Sequence, residues 1–217
     1  MIDARYPDAP VYRVHWGAKE LKAVGALLGA GGGKQGARYV LASLAQQASK
    51  KVGKKMGLSG PIGLLFLATD VAANPWTVVR TRAEMTGAVV ADLIARTDQD
   101  RFVLIGHSLG ARVMVKAAQL LGTRPSAPKI EAMHLLGAAV GTKGDWRPLN
   151  AAVIDKVWNY HSRNDKILSR AYPTVQFGHR AVGCQGFRSS FPMIVNKDVS
   201  GRVSTHSGYF EAVKLAS

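Results

Sequence analysis

The chain has 217 residues, 47% of them hydrophobic, which is enough for one domain with a substantial core and too few for two comfortable ones. Lys and Arg number 29 against 14 Asp and Glu, a formal charge of +15 that favours anionic partners such as phospholipid headgroups or nucleic acid and says nothing about fold. The single cysteine, Cys184, excludes an intrachain disulfide, and no apolar run approaches the roughly 18 to 20 residues that span a bilayer.

The first residues, MIDARYPDAP, lack the basic start and apolar stretch of a signal peptide. Val11-Tyr12-Arg13-Val14-His15 alternates apolar and polar residues and predicts a strand, followed by a helix over Lys19 to Leu28 with Leu21, Val24, Leu27 and Leu28 at helical spacing. The segment Gly31-Gly32-Gly33-Lys34-Gln35-Gly36 matches a dinucleotide-loop spacing, but a helical pattern precedes it where a strand is required, and Gln35 replaces the Ser or Thr of a phosphate loop. It reads as a flexible connection. A second helical pattern runs from Lys34 to Lys55 and ends in Lys50, Lys51, Lys54 and Lys55, where cations suit the helix dipole. With the apolar stretch Leu64 to Leu67 it forms either a membrane-facing surface or a solvated helix end followed by a core segment. We treat residues 29–73 as a helical, partly apolar insertion within a single domain over residues 1–217.

Asn74-Pro75-Trp76 is a helix start, since Asn caps free N–H groups and Pro in the first turn loses no hydrogen bond; the helix should continue to about Thr97. Arg101 to Ile105 is a short apolar strand, Gly106-His107-Ser108-Leu109-Gly110 a turn, and Leu109 to Leu121 a helix. A strand, turn and helix around G-x-S-x-G is the setting of a nucleophile elbow, in which Gly106 and Gly110 are expected to let strand and helix approach and the Leu109 N–H points at the space a developing oxyanion would occupy.

A serine hydroxyl needs a base and an acid to orient that base. Ile130 to Val140 and Lys156 to His161 predict the next two buried parallel strands, each ending at the same sheet edge as Ser108. Asp165, just past the second, is preferred as the acid over Asp145 and Asp198 on the chain order Ser, acid, His. Of six histidines, His15, His134 and His161 fall within predicted strands and His107 within the elbow. His206, late in the chain before a short helix over Ser207 to Leu215, is preferred as the base over His179.

Several segments together resemble a known group of α/β hydrolases that includes the transmembrane and coiled-coil domain-containing proteins. They are Val11 to Trp16 with Lys19-Glu20-Leu21, Asp70 through Asn74-Pro75-Trp76 to Arg82-Ala83, Leu104 to Arg112, Leu135 to Ala138, Asn159 to Asp165, and Val199 to His206. The resemblance implies a lipase- or esterase-like α/β fold, a mostly parallel sheet flanked by helices, with Ser108, Asp165 and His206 on the triad positions and with membrane association. Members carry strongly apolar segments before the Asn-Pro-Trp helix. Here that region is reduced to Leu58 to Ala73, so attachment to a membrane surface is the milder expectation. The loop that in α/β hydrolases gives the second oxyanion donor would precede the strand at Val11, where the chain has almost no residues, so the first strands of the fold are expected to be missing.

The expected activity is hydrolysis of carboxylic esters, lipid or other acyl esters, through an acyl-enzyme. Neither metal nor cofactor is expected, since no His-Glu-x-x-His element or cysteine cluster occurs. Nucleic acid is disfavoured because the basic residues are spread without an aromatic-rich basic motif. The alternative is a weak or inactive hydrolase fold that binds anionic membrane surfaces, and the expected placement is cytoplasmic or peripheral to a membrane.

Overall fold

The computed structural model describes residues 1–16, 75–176, 178–188 and 190–217. Met1–Trp16 and Arg82–Ser217 form one compact unit, which holds the sheet. The helices expected over Lys19 to Leu28 and Lys34 to Lys55, the glycine-rich segment, the apolar stretch to Ala73 and the cap at Asn74 lie outside the described residues.

In chain order the elements are α1 (Ile2–Arg5), α2 (Pro75–Ala95), β1 (Arg101–His107), α3 (Leu109–Leu121), β2 (Lys129–Leu136), α4 (Arg147–Ala152) and β3 (Val157–His161). A π-helical turn (Ile167–Ala171) runs into α5 (Tyr172–Val175), followed by α6 (Val182–Gln185), β4 (Ile194–Asp198) and α7 (Tyr209–Ala212). The strands form a parallel sheet in the order β1-β2-β3-β4. The fold is α/β. Because consecutive strands are neighbours and all run the same way, each connection must cross over the sheet, and every strand delivers its following loop to one edge.

The core follows from which strands are covered. In β2, Ile130, Met133, His134, Leu135 and Leu136 have no exposed surface, the continuous apolar run of a strand covered on both faces. Each such Leu, Ile or Met contributes about 1.5–3 kcal/mol by leaving water. On one face α3 packs through Ala111, Val113, Val115, Ala117, Ala118 and Leu121, where repeated alanines bring the helix close to the sheet. On the other, Leu136, Trp158 and Tyr160 meet Val203, Tyr209, Val213 and Leu215.

Val11 to His15 is not a strand. These residues have no regular structure, and Tyr12 is 84% exposed. Alternation alone does not make a strand, which needs a neighbouring backbone to take its hydrogen bonds, and no strand among the described residues pairs with this segment. The position from which the second-donor loop is counted is therefore not a strand either. The final helix is also shorter than expected, confined to Tyr209–Ala212.

His134 lies buried between two tyrosines. Its Nε2 is 2.7 Å from the Tyr6 hydroxyl and its Nδ1 3.2 Å from that of Tyr160, whose oxygen also accepts the Ala216 N–H at 2.7 Å. Arg5 Nε donates to the Ala216 carbonyl at 3.2 Å. The network ties both ends of the chain to the sheet. Burial, and then the charge of Arg5, push the His134 imidazole down to about 4 from its ordinary 6.5. A depressed histidine binds fewer protons folded than unfolded, so its contribution to stability is complete above pH 6.5 and is lost as the pH falls toward 4. Thermal unfolding followed from pH 7 to pH 4.5 should show a loss on the order of 2–3 kcal/mol from this one group. A melting temperature that stays flat over that range would rule out a neutral His134.

Candidate active site

Ser108 joins β1 to α3 with φ 55°, ψ −119°, and among the described residues no other non-glycine has a positive φ. Such a backbone is strained by about 1–3 kcal/mol and persists only where its surroundings hold it. Two hydrogen bonds do so: the Ser108 N–H donates to Leu136 O at 3.0 Å and the Ser108 carbonyl accepts the Ala139 N–H at 3.1 Å. The side chain does not cap the helix it precedes, so its hydroxyl is available for other partners. A Cβ at Gly106 would stand 2.6 Å from Ala111 Cα, so the strand and helix touch there and only glycine fits. Gly110 is different: a Cβ there meets nothing within 4 Å, contrary to the expectation that both glycines are needed for close approach.

Ser108, His206 and Asp165 meet in one hydrogen-bonded line. His206 Nδ1 is 2.7 Å from Asp165 Oδ2 and its Nε2 is 2.7 Å from Ser108 Oγ. A carboxylate accepts, so Nδ1 carries the proton, and the bare Nε2 accepts from the serine hydroxyl. Asp165 is fully buried while the His206 side chain is 21% exposed, so the carboxylate lies out of water and the imidazole reaches the surface. All four lone-pair directions of the carboxylate are engaged: Oδ1 accepts the N–H groups of Ile167 and Leu168, each at 3.1 Å, and Oδ2 accepts His206 and the Tyr209 hydroxyl at 3.2 Å. Burial, and then the Asp165 charge, push the Tyr209 phenol upward, so it remains a donor. Gly137, at φ 50°, leaves room for that ring: a Cβ would lie 2.6 Å from it.

The loops carrying Asp165 and His206 are fastened together. Ser162 Oγ donates to Val203 O at 2.6 Å, the Arg163 N–H to Ser200 Oγ at 3.0 Å, and Asn164 Nδ2 to Ser200 O at 2.9 Å. His107 holds His206 as well. Its Nε2 is 2.7 Å from the His206 carbonyl, and since a carbonyl can only accept, Nε2 carries the proton. The two imidazole rings lie 4.7 Å apart, with Phe210 4.9 Å from the His107 ring. Burial, then the adjacent His206, lower the His107 imidazole to about 4, so it stays neutral near pH 7.

Leu109 opens α3, and the first N–H groups of a helix have no intrahelical partner, so the Leu109 N–H next to Ser108 is left available as a donor. The competing residues are elsewhere. Asp145 is bound by Arg147 at 2.7 Å, Asp198 by Ser200 and by Arg163 at 3.7 Å, His134 lies in the tyrosine network, His161 is buried in β3, and His15 and His179 are exposed. His107 and Tyr209 were missed as partners of the site by sequence reasoning. His107 is adjacent to the serine in sequence, but its bond to the His206 carbonyl spans 99 residues and leaves no local signal. Among the described residues, no group of His, Cys, Asp and Glu is arranged to hold a metal ion.

The family described as protein of unknown function (DUF726) matches residues 4–215. The chain is 28% identical over 213 residues to the transmembrane and coiled-coil domain-containing protein STS1 of Oryza sativa subsp. japonica, covering 94% of this chain and 31% of that protein. It is 32% identical over 145 residues to the uncharacterized membrane protein C6F6.13c of Schizosaccharomyces pombe, covering 65% of this chain and 19% of that protein. The chain thus spans under a third of the length of these relatives. No solved structure matches it. Among the described residues, no helix is long and apolar enough to cross a membrane.

Proposed function

We propose, for a chain that belongs to the DUF726 family of proteins of unknown function, that it is a serine hydrolase of the α/β-hydrolase type acting on carboxylic esters. The observation that carries this is the unbroken line from Ser108 Oγ through His206 to buried Asp165, both links 2.7 Å, on a serine held at a strained strand-to-helix turn. A solvated serine and a solvated histidine have no reason to meet in this way. The order along the sheet supports the same reading: the serine follows β1, the acid β3 and the histidine β4, so strands of one parallel sheet deliver all three to one edge.

In the proposed reaction the Ser108 hydroxyl proton moves to His206 Nε2 as Oγ bonds to the ester carbonyl carbon. The carbonyl electron pair becomes an oxyanion facing the Leu109 N–H, while Asp165 balances the imidazolium. Collapse breaks the bond to the alkoxy oxygen, which leaves as an alcohol with the proton from Nε2. Water then gives one proton to Nε2, attacks the acyl carbon and releases a carboxylic acid, and the proton returns to Ser108. The +15 charge and the word membrane in the relatives' names favour lipid or other acyl esters over peptides as substrates. The same two observations favour the second reading, a weak or inactive hydrolase fold that binds anionic membrane surfaces.

Labelling with a fluorophosphonate probe and mapping the modified peptide separates the two. The expected result is modification at Ser108 that disappears in Ser108→Ala, with hydrolysis of a p-nitrophenyl ester reduced by about 10³-fold or more. A folded chain that takes no label would refute the hydrolase reading.

A further inference from the structure

We infer that the protein carries a phosphate-binding cleft beside β4, separate from the serine site and not assigned by the reading above. The cleft has a volume of about 340 Å³, at the small end of the range for ligand sites. Lys197, Arg202 and Lys214 line it, contributed by β4, the loop after it and the segment after α7. Val199, Ala212 and Ala216, each half-buried, supply apolar surface between them.

The charge balance inside the cleft points to an anion. Among the described residues, none of the three cations pairs with a carboxylate. The one acid lining the cleft, Asp198, is already occupied: its carboxylate accepts the Ser200 N–H and hydroxyl and faces Arg163. Like charges around one concavity repel each other, and an anion seated among them relieves that repulsion. Lys197 is also held in place, its Nζ 4.9 Å from the centre of the Trp158 ring. A guanidinium fork beside two ammonium groups suits the several oxygens of a phosphate, and the apolar surface suits the organic group of a phosphate ester.

The backbone is firm where it matters. Arg202 belongs to a turn whose Val203 N–H donates to Val199 O at 2.9 Å and whose Val203 carbonyl accepts Ser162 Oγ, while the Tyr160 hydroxyl is fixed by Ala216. The backbone positions of the cations around the cleft are therefore set by the fold and not by a ligand.

Phosphate could reach this cleft as a free phosphate ester or as a lipid headgroup, and two probes distinguish the sources. Inorganic phosphate is titrated calorimetrically into the full chain in 0.15 M salt, and phosphatidylcholine vesicles with and without phosphatidate are tested by co-sedimentation. The Lys197→Gln/Arg202→Gln/Lys214→Gln variant should weaken binding at least tenfold. A control with the same charge change at the other end of the sheet, Arg101→Gln/Arg124→Gln/Lys129→Gln, should stay within twofold. Arg202→Gln alone changes one exposed side chain and should still weaken binding several-fold. Ser108→Ala should bind like the native chain, which keeps the test independent of the esterase reading. Binding of phosphate in solution supports a free ester, and binding only to phosphatidate vesicles supports a headgroup. Equal losses in both triple variants, or no binding of either probe by the native chain, would overturn the proposal.

Discussion

Asp165→Asn should lower the rates of fluorophosphonate labelling and p-nitrophenyl ester hydrolysis by about 10³- to 10⁴-fold while leaving the chain folded. The reason lies in the division of labour between the two carboxylate oxygens. Oδ1 receives the Ile167 and Leu168 N–H groups, and an amide oxygen can continue to do so. Oδ2 receives His206 Nδ1–H and the Tyr209 hydroxyl, and an NH₂ group in its place donates where it should accept. Tyr209 can turn its proton to the Gly183 carbonyl, 3.3 Å away. His206 can relieve the conflict only by moving its proton to Nε2, and then it donates to Ser108 Oγ instead of accepting from it. The base is lost with the scaffold intact, so the melting temperature should fall by only a few degrees, consistent with about 1 kcal/mol for one altered hydrogen bond. Asp165→Ala removes both oxygens and should lose stability as well, because the N–H groups of the turn are left unpaired. Activity of the Asn variant within tenfold of the native chain would show that Asp165 does not orient a base.

Gly106→Ala and Gly110→Ala should differ sharply despite their symmetric places in the pentapeptide. At Gly106 the added methyl meets Ala111 Cα at 2.6 Å, Ala111 N at 2.7 Å and the Gly110 carbonyl at 2.7 Å, all backbone atoms of the helix that follows. Nothing flexible can give way, so β1 and α3 must separate at the strained serine. The expected loss is about 3 kcal/mol or more, at the upper end for overpacking because the obstacle is main chain, and labelling at Ser108 should be lost with it. At Gly110 the methyl enters open space, and replacing a helical glycine should be neutral or stabilising by up to about 1 kcal/mol. Urea denaturation of the two variants decides the matter. Similar losses at both positions would mean that strand and helix do not pack as described.

The parts of the molecule legible in the sequence are those where local chemistry and chain order suffice. The elbow is one, since an apolar strand, a glycine before a serine and an alanine-rich helix each leave a local mark. Asp165 could be placed because parallel strands deliver their loops to one edge, and His206 because it lies on a loop late in the chain, after the acid. Less legible were features set by neighbours. Val11 to His15 alternates like a strand yet has no described partner, whereas β4, Ile194–Asp198, pairs fully with β3 and was passed over because its exposed side chains Asn196, Lys197 and Asp198 give it no apolar pattern. Gly106 and Gly110 look equivalent in one dimension, and only the packed helix distinguishes them. The grip of His107 on the His206 carbonyl joins residues 99 apart, and no local pattern encodes it.

The network around His134 has a topological consequence. Arg5 bonds to the Ala216 carbonyl, Tyr6 and Tyr160 share His134, and Tyr160 takes the Ala216 N–H, so the two ends of the chain lie side by side on one face of the sheet. A short peptide joining Ser217 to Met1 would link two segments the fold already holds together, and new ends could then be opened in the exposed stretch Thr123 to Ser126 without disturbing the serine, the histidine or the aspartate.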